Sequence, residues 1–210
     1  MGRLEPQRNE HRPERWILAS ASARRADLLE RAGQRFEREA SAVEESPRAG
    51  EGALEFAARV AHDKARDVAG RRPGHWVLAA DTVVIVDGEP LGKPRDAAHA
   101  RAMLARLSHR RHEVATAFVL LDSAGRTFAA GVVRSEVTFR RVAFADIEAY
   151  VRTGEPLDKA GGYAIQGGAR AFVRELKGSL TNVIGLPMAE VEAALRAAGL
   201  WIEASAACER

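Results

Sequence analysis

Four things are scarce in this chain of 210 residues. There is a single cysteine, Cys208, so no internal disulfide and no cysteine-ligated metal cluster can form. No apolar run approaches the roughly 20 residues that a bilayer span requires. The opening stretch, MGRLEPQRNEHRPER, lacks the apolar core of a secretory signal, and Glu5-Pro6 fits a myristoylation pattern poorly. Aromatic residues make up 6% of the chain, too few for the stacking platforms that grip single-stranded nucleic acid. Charge of one sign is never massed: 32 basic and 29 acidic residues are interspersed and leave a net +3, the pattern of a solvated surface rather than a nucleic-acid groove. What remains is one domain of ordinary size, expected over 16–202 with a second lobe near 96–150. Mobile tails are expected at 1–15 and 203–210, the compartment expected is the cytoplasm, and neither a membrane nor a nucleic acid is expected as partner.

Helical and strand signals alternate, which predicts an α/β fold on a mixed sheet. WILA (16–19) reads as a buried strand, 23–32 as a helix stopped by Gly33 and 35–41 as a short strand. A longer helix is expected over 51–69, ended by Gly70. WVLAAD (76–81) is an apolar strand closed by an acid. VVIVDGEPL (83–91) carries an Asp-Gly hairpin signal. Asp96 is placed to cap a helix over 96–107, two long strands share 112–142, and a helix is expected at 144–154. A glycine-rich loop (154–168), a strand at 171–176 and a helix opened by Pro187 complete the chain.

Several residues sit where their chemistry is unexpected. Arg24 and Arg25 fall in the first turn of a helix, whose N-terminus is already partially positive, so an anion is expected there. Lys64 lies on the apolar stripe of Ala57, Val60, Ala61 and Val68. A stem snorkelling from the core edge accounts for it alone; a cleft holding anions is the functional reading. Asp81 is delivered to a strand's C-terminal end, where open α/β sheets bind ligands. GEPLGKP (88–94) is not a phosphate-binding P-loop: three residues separate its glycines and Pro94 stands in the hydroxyl position, although Lys93 is still presented on a rigid turn. In LDKAGGYAIQGG (157–168), Gln166 carries an amide able to read a base edge. HRRH (109–112) reads as a solvated turn, not a metal site.

Four segments occur in one order: LASASARRADLLERAG (18–33), AADTVVIVDGEPLGKPRDAAHARAMLARLS (79–108), GEPLDKAGGYAIQGGARAFV (154–173) and NVIGLP (182–187). Together they resemble the Maf family of nucleoside triphosphate pyrophosphatases over about 16–200. The resemblance implies an elongated mixed sheet similar to inosine-triphosphatase-like enzymes, with two lobes around a cleft. It also implies hydrolysis of dTTP and UTP to monophosphate and pyrophosphate, with Mg²⁺ or Mn²⁺ and as a homodimer; a broader house-cleaning pyrophosphatase acting on modified pyrimidine nucleotides is a second enzymatic alternative. Carried over by position, Ser20, Ser22, Arg24 and Arg25 take the phosphate-binding loop, joined by Lys64 and Lys93. Glu45 and Asp81 take the metal, with Asp81 as catalytic acid/base. Arg24, Thr82 and Gln166 match the dTTP/UTP type, where the 7-methyl-GTP type resembles Trp, Gln and Glu. Ala23 departs from the family's proline at the start of the first helix. The family's link to septum inhibition supplies the alternative, a cell-division inhibitor acting through a partner or nucleic acid.

Overall fold

The computed structural model describes residues 16–203. The tail expected at 1–15, and all but Glu203 of the one expected at 203–210, lie outside the described residues, as does Cys208. Strands β1 (Trp16–Leu18), β2 (Glu37–Arg38), β3 (Trp76–Val86), β4 (Glu89–Leu91), β5 (Arg111–Leu121), β6 (Thr127–Phe139) and β7 (Val173–Lys177) form one sheet. Its order is β2-β1-β3-β5-β6-β7, with β4 paired to β3. The β2-β1-β3 side is parallel and the rest antiparallel, so the sheet is mixed. Around it lie α1 (Ala23–Arg31), α2 (Ala53–Arg71), α3 (Ala97–Leu107), α4 (Phe144–Arg152), α5 (Leu180–Ile184) and α6 (Met188–Ala197). No helix among the described residues is long and apolar enough to cross a membrane.

Strand alternation distributes β3 between the two faces of the sheet. Val77, Ala79 and Val83 pack with Ala57, Ala61, Ala65 and Val68 of α2. Leu78 and Ala80 pack with Ala26 and Leu29 of α1 and Val191 and Leu195 of α6. Further along that second face, Val84 and Val86 join Leu104, Leu107, Ile147 and Tyr150 of α3 and α4. The second face therefore carries two apolar clusters, and Thr82 stands where they part.

Local signals place most elements. Asp96 Oδ1 accepts from His99 N at 2.7 Å and caps α3. Asp87 and Gly88 both have positive φ, 57° and 80°, as a two-residue hairpin turn requires. Three expectations need correction. Asp81 does not end a strand: β3 runs through it to Val86, because Lys64 neutralises the carboxylate from the facing helix. The strand that ends here is β1, which pairs with β3 only as far as Leu78. Helix α2 continues through Gly70 to Arg71, since a buried Val68 holds the last turn on the sheet and an interior glycine costs only about 1 kcal/mol. His112 is no solvated turn residue: it lies inside β5, 3% exposed, with Nε2 2.8 Å from Tyr163 Oη. Burial pushes its imidazole down to about 4, so it stays neutral at physiological pH.

Candidate active site

Beyond the end of β1 the chain turns through Ser20–Ser22 into α1. Ser20 Oγ accepts from Ser22 N at 3.1 Å and from Arg25 Nη1 at 3.2 Å. Both contacts fill lone pairs, so the hydroxyl proton is left to donate. Ser22 occupies the N-cap of α1 but makes no capping bond with its side chain. Arg25 is buried and folded back on the protein: Nε donates to Gly185 O at 2.7 Å and Nη2 to Thr82 Oγ1 at 3.1 Å. With Ser20, these contacts take three of the five guanidinium protons and leave one N–H on each terminal nitrogen. Burial lowers the Arg25 pKa and the Asp81 charge works against that. Arg24 points differently. Its Nε is buried and has no hydrogen-bond partner among the described residues.

On the α2 face, Lys64 Nζ sits 2.6 Å from Glu45 Oε1 and 2.7 Å from Asp81 Oδ1. The sequence puts Lys64 inward on the apolar stripe and the sheet supplies its partner, so the lysine is paired rather than snorkelling. Glu45 reaches it from the segment before α2, and Lys93 from the turn after β4 approaches the other oxygen, Oε2, at 3.1 Å. The two carboxylates are pushed apart in proton affinity. For Asp81 burial dominates and raises the pKa, with Glu45 adding to the rise, while Lys64 and Arg25 oppose it. For Glu45 burial also pulls upward, but the hydrogen bond and charge of Lys64, with Lys93, outweigh it and hold the group low. One carboxyl is thus prepared to exchange a proton and its neighbour to stay ionised, the division of labour expected of an acid/base group beside a fixed anion.

Across the cleft, Gln166 is exposed on the glycine-rich loop. That loop is pinned from two sides. Ala164 N donates to Tyr150 Oη at 3.0 Å, and Gly168 N donates to Glu155 Oε2 at 3.1 Å. A Cβ on Gly167 would stand 1.7 Å from Glu155 Oε1, so glycine is what lets the carboxylate lie against the backbone.

All ten residues singled out in the sequence (Ser20, Ser22, Arg24, Arg25, Glu45, Lys64, Asp81, Thr82, Lys93 and Gln166) line one cavity of about 710 Å³. Sequence reasoning missed Thr116, Asn182, Gly185, Tyr150 and Glu155, which hold the lining residues in place. Thr116 did carry a signal, a hydroxyl within the apolar run VATAFVLL. Five cations and four carboxylates line the cavity, so its own charge nearly cancels and falls well short of a fully ionised triphosphate. No group of three metal-ligating side chains converges among the described residues. Glu45 and Asp81 alone flank Lys64. That donor set fits a hard cation held by one or two carboxylates and completed by phosphate oxygens, and does not fit a closed all-protein site.

A family profile described as Maf-like protein matches residues 15–198. The chain is 50% identical over 184 residues to the "dTTP/UTP pyrophosphatase" of Myxococcus xanthus, covering 88% of this chain and 92% of the relative. It is 47% identical over 185 residues to the "dTTP/UTP pyrophosphatase" of Geobacter metallireducens, covering 88% and 96%. Among solved structures it aligns at 16% identity and a TM-score of 0.42 with a nucleoside-triphosphatase / dITP/XTP pyrophosphatase from Mycobacterium abscessus, over 89% of this chain and 95% of that one.

Proposed function

The chain belongs to the Maf-like family, and on that basis we propose that it hydrolyses the α–β phosphoanhydride of dTTP and UTP to the monophosphate and pyrophosphate. The observation that carries this reading is Lys64 held between Asp81 and Glu45, two carboxyls of opposed proton affinity, beside the cationic start of α1. In this reading Asp81 takes the proton of the attacking water. Arg24, the remaining terminal N–H groups of Arg25, Ser20, Ser22 and the first-turn amides of α1 bind phosphate oxygens. Lys64 and Lys93 neutralise the charge that develops on departing pyrophosphate. Gln166 faces the base. Glu45 and Asp81 would hold Mg²⁺ or Mn²⁺, which when bound makes up the missing positive charge and polarises the phosphoryl oxygens. A cell-division inhibitor acting through a partner or nucleic acid would leave the paired carboxylates without a task.

A substrate panel tests the assignment. Pyrophosphate release is expected from dTTP, UTP and modified pyrimidine triphosphates, with little from ATP or GTP, and is expected to stop with a chelator and return with Mg²⁺ or Mn²⁺. Comparable rates on purine triphosphates would overturn the base preference, and full activity in chelator would overturn the metal. The cytoplasm, where nucleotide pools reside, is the compartment this reading implies.

The proposal includes a homodimer. β7 pairs with β6 only over Glu136–Phe139, so among the described residues no strand pairs with the outer edge of Thr127–Arg134. Residues 127–133 are uncharged and expose Phe128 and Val132, a liability that a second copy would cover. Light scattering is expected to give twice the chain mass, and Val132→Lys to give the monomer. A monomeric parent protein contradicts this.

A further inference from the structure

Thr82 follows Asp81 and projects from the opposite face of β3. Its match to the dTTP/UTP type suggests a hydroxyl that reads the base, but the hydrogen bonds around it are already directed elsewhere. Arg25 Nη2 can only donate, and it lies 3.1 Å from Thr82 Oγ1. Thr116 stands opposite Thr82 in the β3–β5 register, and the two hydroxyl oxygens are 3.0 Å apart. Thr116 Oγ1 is also 2.9 Å from the backbone carbonyl oxygen of Asn182. A carbonyl only accepts, so the single proton of Thr116 is committed to Asn182 and the single proton of Thr82 to Thr116. The direction of every bond is therefore fixed: Arg25 Nη2 to Thr82, Thr82 to Thr116, Thr116 to Asn182. Thr82 keeps no proton to donate to a pyrimidine keto oxygen.

The far end of this chain is rigid. Asn182 is fully buried; its side-chain Nδ2 donates to Val114 O at 3.0 Å and to Ser135 Oγ at 2.9 Å, and its backbone N–H donates to Ser179 Oγ. Three residues on, Gly185 O accepts from Arg25 Nε at 2.7 Å. Gly185 has φ +125°, and a Cβ there would lie 3.4 Å from Thr82 Oγ1 and 3.7 Å from Arg25 Nε. Two backbone carbonyls, in and just after α5, thus hold one guanidinium, that of Gly185 directly and that of Asn182 through two threonine hydroxyls. Aligned donors of this kind also strengthen one another in a buried setting.

We infer that Thr82, Thr116 and Asn182 are positioning residues, a one-way hydrogen-bond relay that fixes the plane of Arg25 against the phosphate site. Thr82 acts on substrate through Arg25 and not through the base, which leaves base choice to Gln166 and its pinned loop. The inference rests on the pyrophosphatase reading above.

The test uses the full-length protein with Thr116→Val, which keeps shape and removes the proton, and Thr116→Ser, which keeps the proton. For Thr116→Val, kcat is expected to fall about tenfold to a hundredfold on dTTP and UTP alike, as misplacement of a positioned group does. KM and the ratio between nucleotides are expected to hold, and Thr116→Ser is expected to recover most of the loss. Thr82→Val carries the same expectation and serves if Thr116→Val does not fold. A Thr116→Val or Thr82→Val protein within twofold of the parent overturns the relay. So does a Thr82→Val protein that keeps its dTTP rate while accepting other bases, or a Thr116→Ser protein no better than Thr116→Val. A parent protein that releases no pyrophosphate from dTTP or UTP overturns the functional reading instead.

Discussion

Asp81→Asn is expected to lower pyrophosphate release from dTTP by about 10²–10⁴-fold, the range spanned by removing a general acid/base, while the protein stays folded. Asparagine has nearly the same shape and cannot take a proton from water. Lys64 does not lose all compensation, because Glu45 Oε1 remains 2.6 Å from its ammonium. Burial already disfavours the charged form of Asp81 and raises its pKa. A group raised in this way adds stability at pH below its unfolded value and loses that addition as pH rises through the folded value. The neutral asparagine has no such loss, so the variant should melt no lower than the parent at neutral pH. Rates on dTTP with a parallel melting curve check both halves. Parental turnover would remove Asp81 from the chemistry, and a lower melting temperature would contradict the electrostatic account of its burial.

Lys64→Met is expected to abolish turnover and to cost about 3–5 kcal/mol at neutral pH, because removing one partner of a buried ion pair leaves the other uncompensated. Here two carboxylates lose their shared cation and face each other across an apolar stem. The pH dependence gives the sign. Glu45 is held low by Lys64, so it contributes stability above the ordinary glutamate range and loses it as pH falls through its depressed value. The variant keeps only the Lys93 share of that contribution, and its Asp81, with Arg25 left to oppose the rise but without the Lys64 ammonium, gains stability as it takes up a proton on acidification. The Asp81 effect narrows the gap between variant and parent as pH falls from neutral to mildly acidic, and the Glu45 effect narrows it further only below the ordinary glutamate range. Melting curves across that range, without nucleotide or divalent ion, read it directly. A gap that does not change with pH would mean that the lysine stabilises through its stem alone.

Elements fixed by neighbours in sequence were legible in the sequence: the Asp96 cap, the Asp87-Gly88 hairpin and the long β5–β6 pair. Lys64 was legible as a charge on an apolar stripe, and Arg24 and Arg25 as cations at a helix start. Their partners were not. Asp81 looks like a strand terminator until α2 brings Lys64 to it from 17 residues away. Glu45 has no local signature and came only from the resemblance. Arg25 reads as a phosphate clamp in sequence, yet Gly185 lies 160 positions along the chain from it. Helix α5, five residues long, is too short to show a period. His112 is masked by the charged residues around it, although Phe139 and Tyr163 enclose its ring.

The central claim is that this cleft directs water to the α-phosphorus of a pyrimidine nucleoside triphosphate. Hydrolysis of dTTP in water enriched in heavy oxygen, with both products resolved by mass spectrometry, tests it most directly. The account predicts label in dTMP and unlabelled pyrophosphate. Labelled pyrophosphate, or release of orthophosphate in place of pyrophosphate, would contradict it.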